Sequence, residues 1–421
     1  MNEHNLICDV AVVGAGPAGL AAAAAAKKQG AGRVLVIERD ALPGGILLQC
    51  IHPGFGLTYF KEELTGPEYA HRFVKAAKEA GVEFLTDATV LEIGDKHLRV
   101  LGPSCGLLDI QAGAIVLAMG CRERTRGNIR TPGTRPAGVY TAGAGQRLVN
   151  RQNLMIGKKI VILGSGDIGM IMARRLTLQG AKVEAVVELL PYLAGLTRNR
   201  VQCLDDFNIP LLLSHTVAEI RGHQRVEAVK IVQVDDKRQP VPGTERVIEC
   251  DTLLLSVGLI PENELTRAAG IAIDKVTSGP SVNQYMQTSL PSVFACGNVV
   301  HVNDLVDNVS RESEQAGRSA ALFAAGKLPE TKEIACAPGT GIRYVVPQRI
   351  ALDGTDADLT LYFRVTAPGG ASELTAAQSG KVLTSRKVRR VSPGEMEHLN
   401  LKNSVLTEGN LTVSIAAEEG K

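Results

Sequence analysis

Two glycine-rich fingerprints lie 150 positions apart in this chain, and each has an acidic residue 24 positions after its first glycine. The first, Gly14-Ala15-Gly16-Pro17-Ala18-Gly19, follows the apolar run 7–13 and is answered by Glu38 after Val34-Leu35-Val36-Ile37. The second, Gly164-Ser165-Gly166-Asp167-Ile168-Gly169, follows the run 159–163 and is answered by Glu188 after the run 183–187. One such motif alone is weak. Two, each in a strand–turn–helix–strand context with its acid in register, predict two nucleotide-binding units.

The spacing has a chemical reason. The first glycine permits the tight turn out of the strand, the second lets the backbone approach a pyrophosphate, and the third lets helix and strand pack closely. The pyrophosphate sits at the helix N-terminus, where unpaired N–H groups and the helix dipole favour negative charge. Glu38 and Glu188 are then placed to accept hydrogen bonds from an adenosine ribose. A glutamate there repels a 2′-phosphate, so Glu188 favours NAD(H) over NADP(H), and Leu189-Leu190-Pro191-Tyr192 brings no arginine to welcome one. Without a ligand, the same glycines would serve strand–helix packing alone.

Composition narrows the partners. A net charge of +2 gives no electrostatic case for nucleic acid or an anionic membrane. The densest basic run, 386–390, reads as a solvated strand face. The absence of Trp argues against an aromatic stacking platform for single-stranded nucleic acid or carbohydrate. No segment approaches the ~18 apolar residues of a membrane span, and the first strand starts too early for a signal peptide, so a cytoplasmic protein is expected. The eight cysteines are scattered, with no C-x-x-C, so no metal site and no local redox disulphide is expected. Several fall in apolar runs and read as buried small hydrophobes.

Residues 6–40 read as one βαβ unit. A helix is predicted over 67–80, with Tyr69, Phe73, Ala76, Ala77 and Ala80 on one face. Strands are predicted at 82–84, 89–93, 97–101 and 113–120. An Arg-, Gly- and Pro-rich loop over 121–138 marks a boundary. The second βαβ unit starts at Lys158 and runs to the buried strand 252–258. A helix is predicted from about 308 to 325, with Asp307 or Asn308 as its N-cap. Residues 331–421 read as a small β-rich domain with strands at 342–346, 359–365, 381–389 and 411–415.

In order, Gly14 to Gly19, Ala118-Met119-Gly120, Gly164 to Gly169, Ser256-Val257-Gly258 and Ala295-Cys296-Gly297-Asn298 resemble the motifs of the pyridine nucleotide–disulfide oxidoreductase superfamily. The resemblance covers residues 6–326. It implies an α/β fold of two Rossmann-like dinucleotide-binding domains, the NAD domain inserted in the FAD domain, with the β-rich domain following. The expected boundaries are 1–128 with 280–330 for FAD, 129–279 for NAD, and 331–421 for the C-terminal domain. FAD is expected on Gly14, Gly16, Pro17, Ala18, Gly19, Glu38, Arg39, Gly45, Gln49, Gly120, Gly297 and Asn298. NAD is expected on Gly164, Gly166, Asp167, Ile168, Gly169, Glu188 and Gly258. The helix after Asn298 is expected to direct its N-terminal dipole at the flavin pyrimidine.

Two departures bear on mechanism. The family usually carries Gly-Asp where this chain has Gly297-Asn298; Asn keeps an acceptor oxygen and removes one charge. Its disulphide reductases carry a cysteine pair soon after the first βαβ unit, whereas residues 44–52 hold one cysteine. Dithiol exchange is therefore not expected. Cys50 and His52 remain the catalytic candidates, either as a thiol or imidazole beside the flavin or as packing around FAD. Tyr59 and Phe60 read as packing.

A narrower resemblance rests on residues 49–56, 120–124, 164–175, 345–349 and 392–397. These resemble the FAD/NAD-binding subunits associated with glycerol-3-phosphate-dehydrogenase-like flavoproteins, opine oxidases, hydrogen cyanide synthase and sarcosine oxidase. The resemblance implies a hydride exchange between NAD(H) and FAD in a subunit that passes electrons to or from a partner flavoprotein, or a homo-oligomer. A stand-alone NADH:acceptor reductase or oxidase, with Cys50 cycling through a sulfenic acid, and a non-catalytic structural subunit stand as alternatives.

Overall fold

The computed structural model describes residues 4–418. Two compact units emerge, one made of Met1–Cys121 with Pro261–Lys421, the other of Arg122–Ile260. Each is built on a sheet whose central strands run in parallel.

In the first unit the parallel strands Glu83–Leu85, Val34–Ile37, His4–Val13 and Gly106–Leu117 lie side by side, and His97–Gly102 and Thr89–Gly94 extend the sheet antiparallel. Gly106–Leu117 is longer than the predicted 113–120 strand because, opposite His4–Val13, its other edge serves two further neighbours. Its first half pairs with His97–Gly102, and its last three residues pair with Val293–Ala295, which returns from far along the chain. Parallel strands covered on both faces need continuous apolar runs; Val34–Ile37 is buried at all four positions.

The fingerprint helix Pro17–Lys28 is buried from Ala18 to Ala26. Its alanines have a packing reason. A Cβ at Gly317 would come within 2.0 Å of the Ala22 carbonyl oxygen, so Val306–Ala324 lies directly on this helix. The helix Gly66–Glu79 opens with a capping box between Thr65 and Glu68 and buries Tyr69, Ala70, Phe73 and Ala77. Ala70 thus takes a core place that the predicted stripe had given to Ala76 and Ala80.

The second unit repeats the plan. Its strands Leu211–Leu212, Lys182–Val187, Lys159–Leu163, Thr252–Leu255 and Val139–Thr141 form one parallel sheet. Asp167–Leu178 and Ala142–Gln152 cover one face. A three-stranded antiparallel sheet, His215–Gly222, Val226–Gln233 and Arg246–Glu249, covers the other, with Val217, Ile220, Val229 and Ile231 packed on Val161, Leu163, Ala185 and Val187.

The C-terminal region forms a five-stranded and a three-stranded sheet around Leu361, Phe363, Leu374, Leu411 and Val413. Glu333–Pro338, Arg349–Ala351, Ser372–Gln378 and Glu397–Lys402 join the four strands predicted from sequence. Tyr344 and Val346 enter the core of the nucleotide-fingerprint sheet instead, so this region docks within the first unit. Arg349 reinforces the join by bonding Glu333 and the Ser281 and Gln287 carbonyls. Among the described residues, no helix is long and apolar enough to cross a membrane.

Candidate functional site

Both fingerprints sit at the carboxyl ends of their central strands, where open α/β sheets bind ligands. Their first and third glycines are placed alike. Gly14 and Gly164 adopt φ +102° and +97°, and a Cβ would come within 2.6 Å of the Ala118 carbonyl and 2.1 Å of the Ser256 carbonyl. The first glycine therefore does more than turn the chain: it admits the neighbouring strand's exit turn, Ala118-Met119-Gly120 or Ser256-Val257-Gly258. At Gly19 and Gly169 a Cβ would meet the carbonyl of Gly14 or Gly164, at 1.8 and 3.0 Å, which seats each helix on its own turn.

The two acids form the same clamp. Glu38 accepts the Ala15 amide at 2.7 Å and the Asp40 amide at 2.9 Å. Glu188 accepts the Ser165 amide at 2.7 Å, the Ser165 hydroxyl at 2.6 Å and the Leu190 amide at 2.8 Å. Both residues are buried. Each carboxylate so ties the second position of its fingerprint to the chain that follows the second strand; both oxygens of Glu38 and Oε1 of Glu188 keep lone-pair capacity for a further donor, while Glu188 Oε2 already accepts two bonds.

The cradle above the first fingerprint is the more open of the two, a Cβ at Gly166 meeting Ser256 Oγ at 3.0 Å, and it suits a diphosphate. A Cβ at Gly16 would meet nothing within 4 Å, so the backbone there borders open space. Pro17 fills the first helical position, where no N–H is needed, and no side chain caps the helix, leaving its first-turn amides to an anion. Gly45 lies against Gly16, with its would-be Cβ 2.8 Å from the Gly16 Cα. Gly44 donates to the Ala15 carbonyl at 2.8 Å. Gly297 closes the other side, its would-be Cβ 2.8 Å from Ala18 Cβ. These residues fit FAD. Gln49 is buried nearby in the 3-10 turn Gly45–Gln49, whereas Arg39 is exposed. Asn298 turns its side-chain oxygen to the Asn303 amide at 2.9 Å and its nitrogen toward Cys121 Sγ at 3.7 Å.

The second fingerprint carries an extra tie. Asp167, the first residue of its helix, accepts the Leu196 amide at 2.8 Å and the Asn199 side chain at 2.7 Å. Ala194 donates to the Ser165 hydroxyl and Gly195 to the Ser165 carbonyl. The loop after Glu188 is therefore pinned beside the helix start. Ile168 is half-buried, and Gly258 lies at the sheet's exit turn with φ +99°.

The helix after Asn298 runs over Val306–Ala324, and its N-cap is Leu305 without a side-chain bond. The expected cap at Asp307 or Asn308 is corrected. Asp307 lies in the first turn, and its carboxylate accepts the amides of Gly56, Thr58 and Tyr59 and the Thr58 hydroxyl at 2.7–3.0 Å. Arg311 adds a bond to the Thr58 carbonyl at 2.7 Å, and Tyr59 donates to Glu314. Residues 56–60 are thus strapped to the helix start, with the rings of Tyr59, Phe60, Tyr69 and Phe73 clustered in edge-to-face and tilted contacts. No sequence pattern singled out Asp307 for this, because its partners lie some 250 positions away.

Cys50 and His52 follow the Gly45–Gln49 turn. The Cys50 thiol donates to the Ile46 carbonyl at 3.4 Å, and burial pushes it up to about 12. His52 bonds the Pro53 carbonyl through Nδ1 and tilts on Phe55. None of the eight cysteines is joined in a disulphide.

Comparison with known proteins agrees with this geometry. The family model described as pyridine nucleotide-disulphide oxidoreductase matches residues 8–321. A thioredoxin reductase of Listeria innocua is 28% identical over 309 residues, covering 71% of this chain and 88% of the relative. An opine oxidase subunit of Agrobacterium tumefaciens is 26% identical and covers 76% of this chain. The small chain of the NADPH glutamate synthase of Escherichia coli is 28% identical and covers 73%. This chain spans 66% of the length of each of those two. The crystal structure of T. acidophilum thioredoxin reductase superposes with a TM-score of 0.61 at 23% identity, over 75% of this chain and 98% of its own, which shows the fold.

Proposed function

Because the chain belongs to the pyridine nucleotide-disulphide oxidoreductase family, we propose that it exchanges hydride between NAD(H) and FAD as the electron-transfer subunit of a dehydrogenase complex. Its class is that of FAD-dependent, pyridine-nucleotide-linked enzymes. The observation that carries the reading is the repeated clamp, Glu38 on Ala15 and Glu188 on Ser165, which builds two nucleotide cradles in one chain.

FAD, when bound, supplies the hydride acceptor and the electron store. The chain supplies the rest. Gly16 and the amides of the Pro17–Lys28 helix hold the diphosphate, with Ala18, Gly19, Gly45, Gly120 and Gly297 closing around it. Glu38 takes the ribose hydroxyls, and Arg39, Gln49 and Asn298 complete the FAD set. Gly164, Gly166, Asp167, Ile168, Gly169 and Gly258 shape the nicotinamide-nucleotide cradle. Glu188, buried and already accepting three hydrogen bonds, disfavours a 2′-phosphate and so selects NAD(H).

No dithiol relay operates in this reading. A thiol held at about 12 is not a thiolate at neutral pH, so Cys50 is a poor nucleophile. The likeness to an opine oxidase subunit and to a glutamate synthase small chain supports a partner subunit. The likeness to thioredoxin reductases supports the second reading, a stand-alone NADH:acceptor reductase.

Anaerobic titration of the yellow protein, followed at the visible flavin band, tests the proposal. NADH is expected to bleach the flavin, with NADPH at least tenfold slower. Equal rates would remove the Glu188 argument, and no bleaching by either nucleotide would remove the hydride exchange. Mass spectrometry of the natively purified protein then separates the two readings: a second flavoprotein chain supports the complex, and none supports the stand-alone enzyme.

A further inference from the structure

The unit Arg122–Ile260 holds a cavity of about 340 Å³ at the carboxyl ends of Val139–Thr141 and Thr252–Leu255. Neither Glu188 nor any residue of the second fingerprint lines it. Pro136, Val139 and Leu255 give it an apolar wall, and Arg126, Arg135 and Thr141 bring polar groups to it. Thr141 pairs in register with Leu255, so it shares the sheet face that carries Val139.

Two arginines on one small cavity call for a reason. Arg126 follows Thr125, whose amide and hydroxyl donate to Asn128 Oδ1 at 2.9 and 3.0 Å, fixing the start of the short helix Arg126–Ile129. Its Nε and Nη2 donate to the Thr131 carbonyl at 3.3 and 3.2 Å, and Nη2 also to that of Gly133 at 3.2 Å. Those bonds fix the guanidinium plane and leave Nη1 without a hydrogen-bond partner among the described residues. Arg135 is exposed, and its side chain makes no hydrogen bond or ion pair among the described residues. The chain around it is held nonetheless. Thr134 donates to the Ile220 carbonyl at 2.9 Å and Ala137 to the Gln224 carbonyl at 3.0 Å. Gly133, at φ +106°, lies so close that a Cβ would come within 2.1 Å of the Ile220 carbonyl.

The charges are also uncompensated. Burial, and then the like charge of Arg135, holds Arg126 below its ordinary value, and no carboxylate acts on it. Glu123, near in sequence, is turned to the Gly143 amide at 2.7 Å. Thr141 is the N-cap of Ala142–Gln152, yet its hydroxyl makes no cap bond. An open guanidinium edge, a second unpaired guanidinium and an uncommitted hydroxyl suit a phosphate, whose oxygens match fork-shaped donors. A phosphate monoester carries about −1.5 to −2 charge near neutral pH, which balances two arginines where a carboxylate balances one.

We propose that this cavity binds a phosphate monoester, separately from the dinucleotide cradles. Arg126 Nη1, Arg135 and the Thr141 hydroxyl hold the dianion, and the organic group lies against Pro136, Val139 and Leu255. The inference does not rest on the proposed hydride exchange.

Isothermal titration calorimetry of the full-length protein with phenyl phosphate, at low salt and about pH 7.5, tests this. One site per chain is expected, at least tenfold tighter than for benzoate, which has the same ring and a single charge. Arg135→Ala is expected to weaken binding at least tenfold. Arg135→Lys is expected to weaken it at least threefold, because an ammonium keeps the charge without the fork. Since the Arg135 side chain makes no internal bond, both variants should unfold at the wild-type temperature. Arg238→Ala, at an exposed arginine outside the cavity, is expected to leave Kd within twofold. No binding of phenyl phosphate, equal binding of benzoate, full affinity in Arg135→Ala or an equal loss in Arg238→Ala overturns the inference. Displacement of phenyl phosphate by NADH also overturns it, since the phosphate would then sit in the dinucleotide cradle.

Discussion

Glu38 and Glu188 act first on the chain and, in the proposed function, then on a ligand. Each gathers backbone amides onto a buried carboxylate, so the chain's own bonds shape each loop. Removing the carboxylate leaves those amides without a partner, at about 1–3 kcal/mol each. For Glu188→Ala the half-saturating NADH concentration is expected to rise at least tenfold, while FAD content, read from flavin absorbance per chain, stays at the wild-type level. Loss of FAD in that variant would mean that the two cradles do not hold separate nucleotides. Cys50 offers a second test at this scale. With its thiol at about 12, roughly one molecule in 10⁴ is thiolate at pH 8. Alkylation by iodoacetamide, located by mass spectrometry, is expected to be at least a hundredfold slower at Cys50 than at a small free thiol. Rapid labelling would return the residue to the redox candidates.

At the scale of elements, the helix Val306–Ala324 is an organising piece. Its alanine- and glycine-lined side rests on the fingerprint helix through Gly317 and Ala22. Its first turn holds residues 56–59 through Asp307, and its middle holds the Gly297 turn through Glu312. Asp307→Ala removes four hydrogen bonds to a carboxylate, and the expected loss is on the order of 3 kcal/mol. Limited proteolysis is expected to cut first between residues 55 and 63. Asp307→Asn, which keeps one acceptor, should lose about half as much by denaturant unfolding. An Asp307→Ala protein as stable and as resistant as the wild type would show that the strap is incidental.

For the whole molecule, the acid limb of stability follows from carboxylates held below their ordinary range. The Arg99 guanidinium, and then His97, lowers Asp109; Arg33 lowers Glu83; Lys230 and Arg221 lower Glu219. A folded pKa below the unfolded one gives stability that is fully present above the unfolded value and is lost as pH falls through the folded one. The midpoint temperature is therefore expected to hold between pH 6 and 8 and to fall progressively below about pH 4.5. Because these pairs are surface ones, 0.5 M salt should remove much of the difference. A flat profile down to pH 3 would show that the ion pairs contribute nothing.

The amino-acid sequence by itself determined the two nucleotide-binding motifs, the register of Glu38 and Glu188, and the α/β class. Those features are local: a glycine spacing, an apolar run and an acid at fixed separation obey strand and helix geometry wherever they occur. It also ruled in the helix over 67–80, although the structure buries Ala70 in place of Ala76 and Ala80. Four of the eight C-terminal strands were legible; short ones such as Arg349–Ala351 are held by pairing and carry too few residues to show a period. What only the tertiary structure decided are the contacts made across long separations. Asp307 reaches residues 56–59, His301 finds Glu312 and two tyrosines of the C-terminal sheets, and one strand, Gly106–Leu117, serves neighbours from both ends of the unit. A lone histidine or aspartate carries no periodic signal; its role exists once the chain has closed around it and removed the water that would otherwise satisfy it.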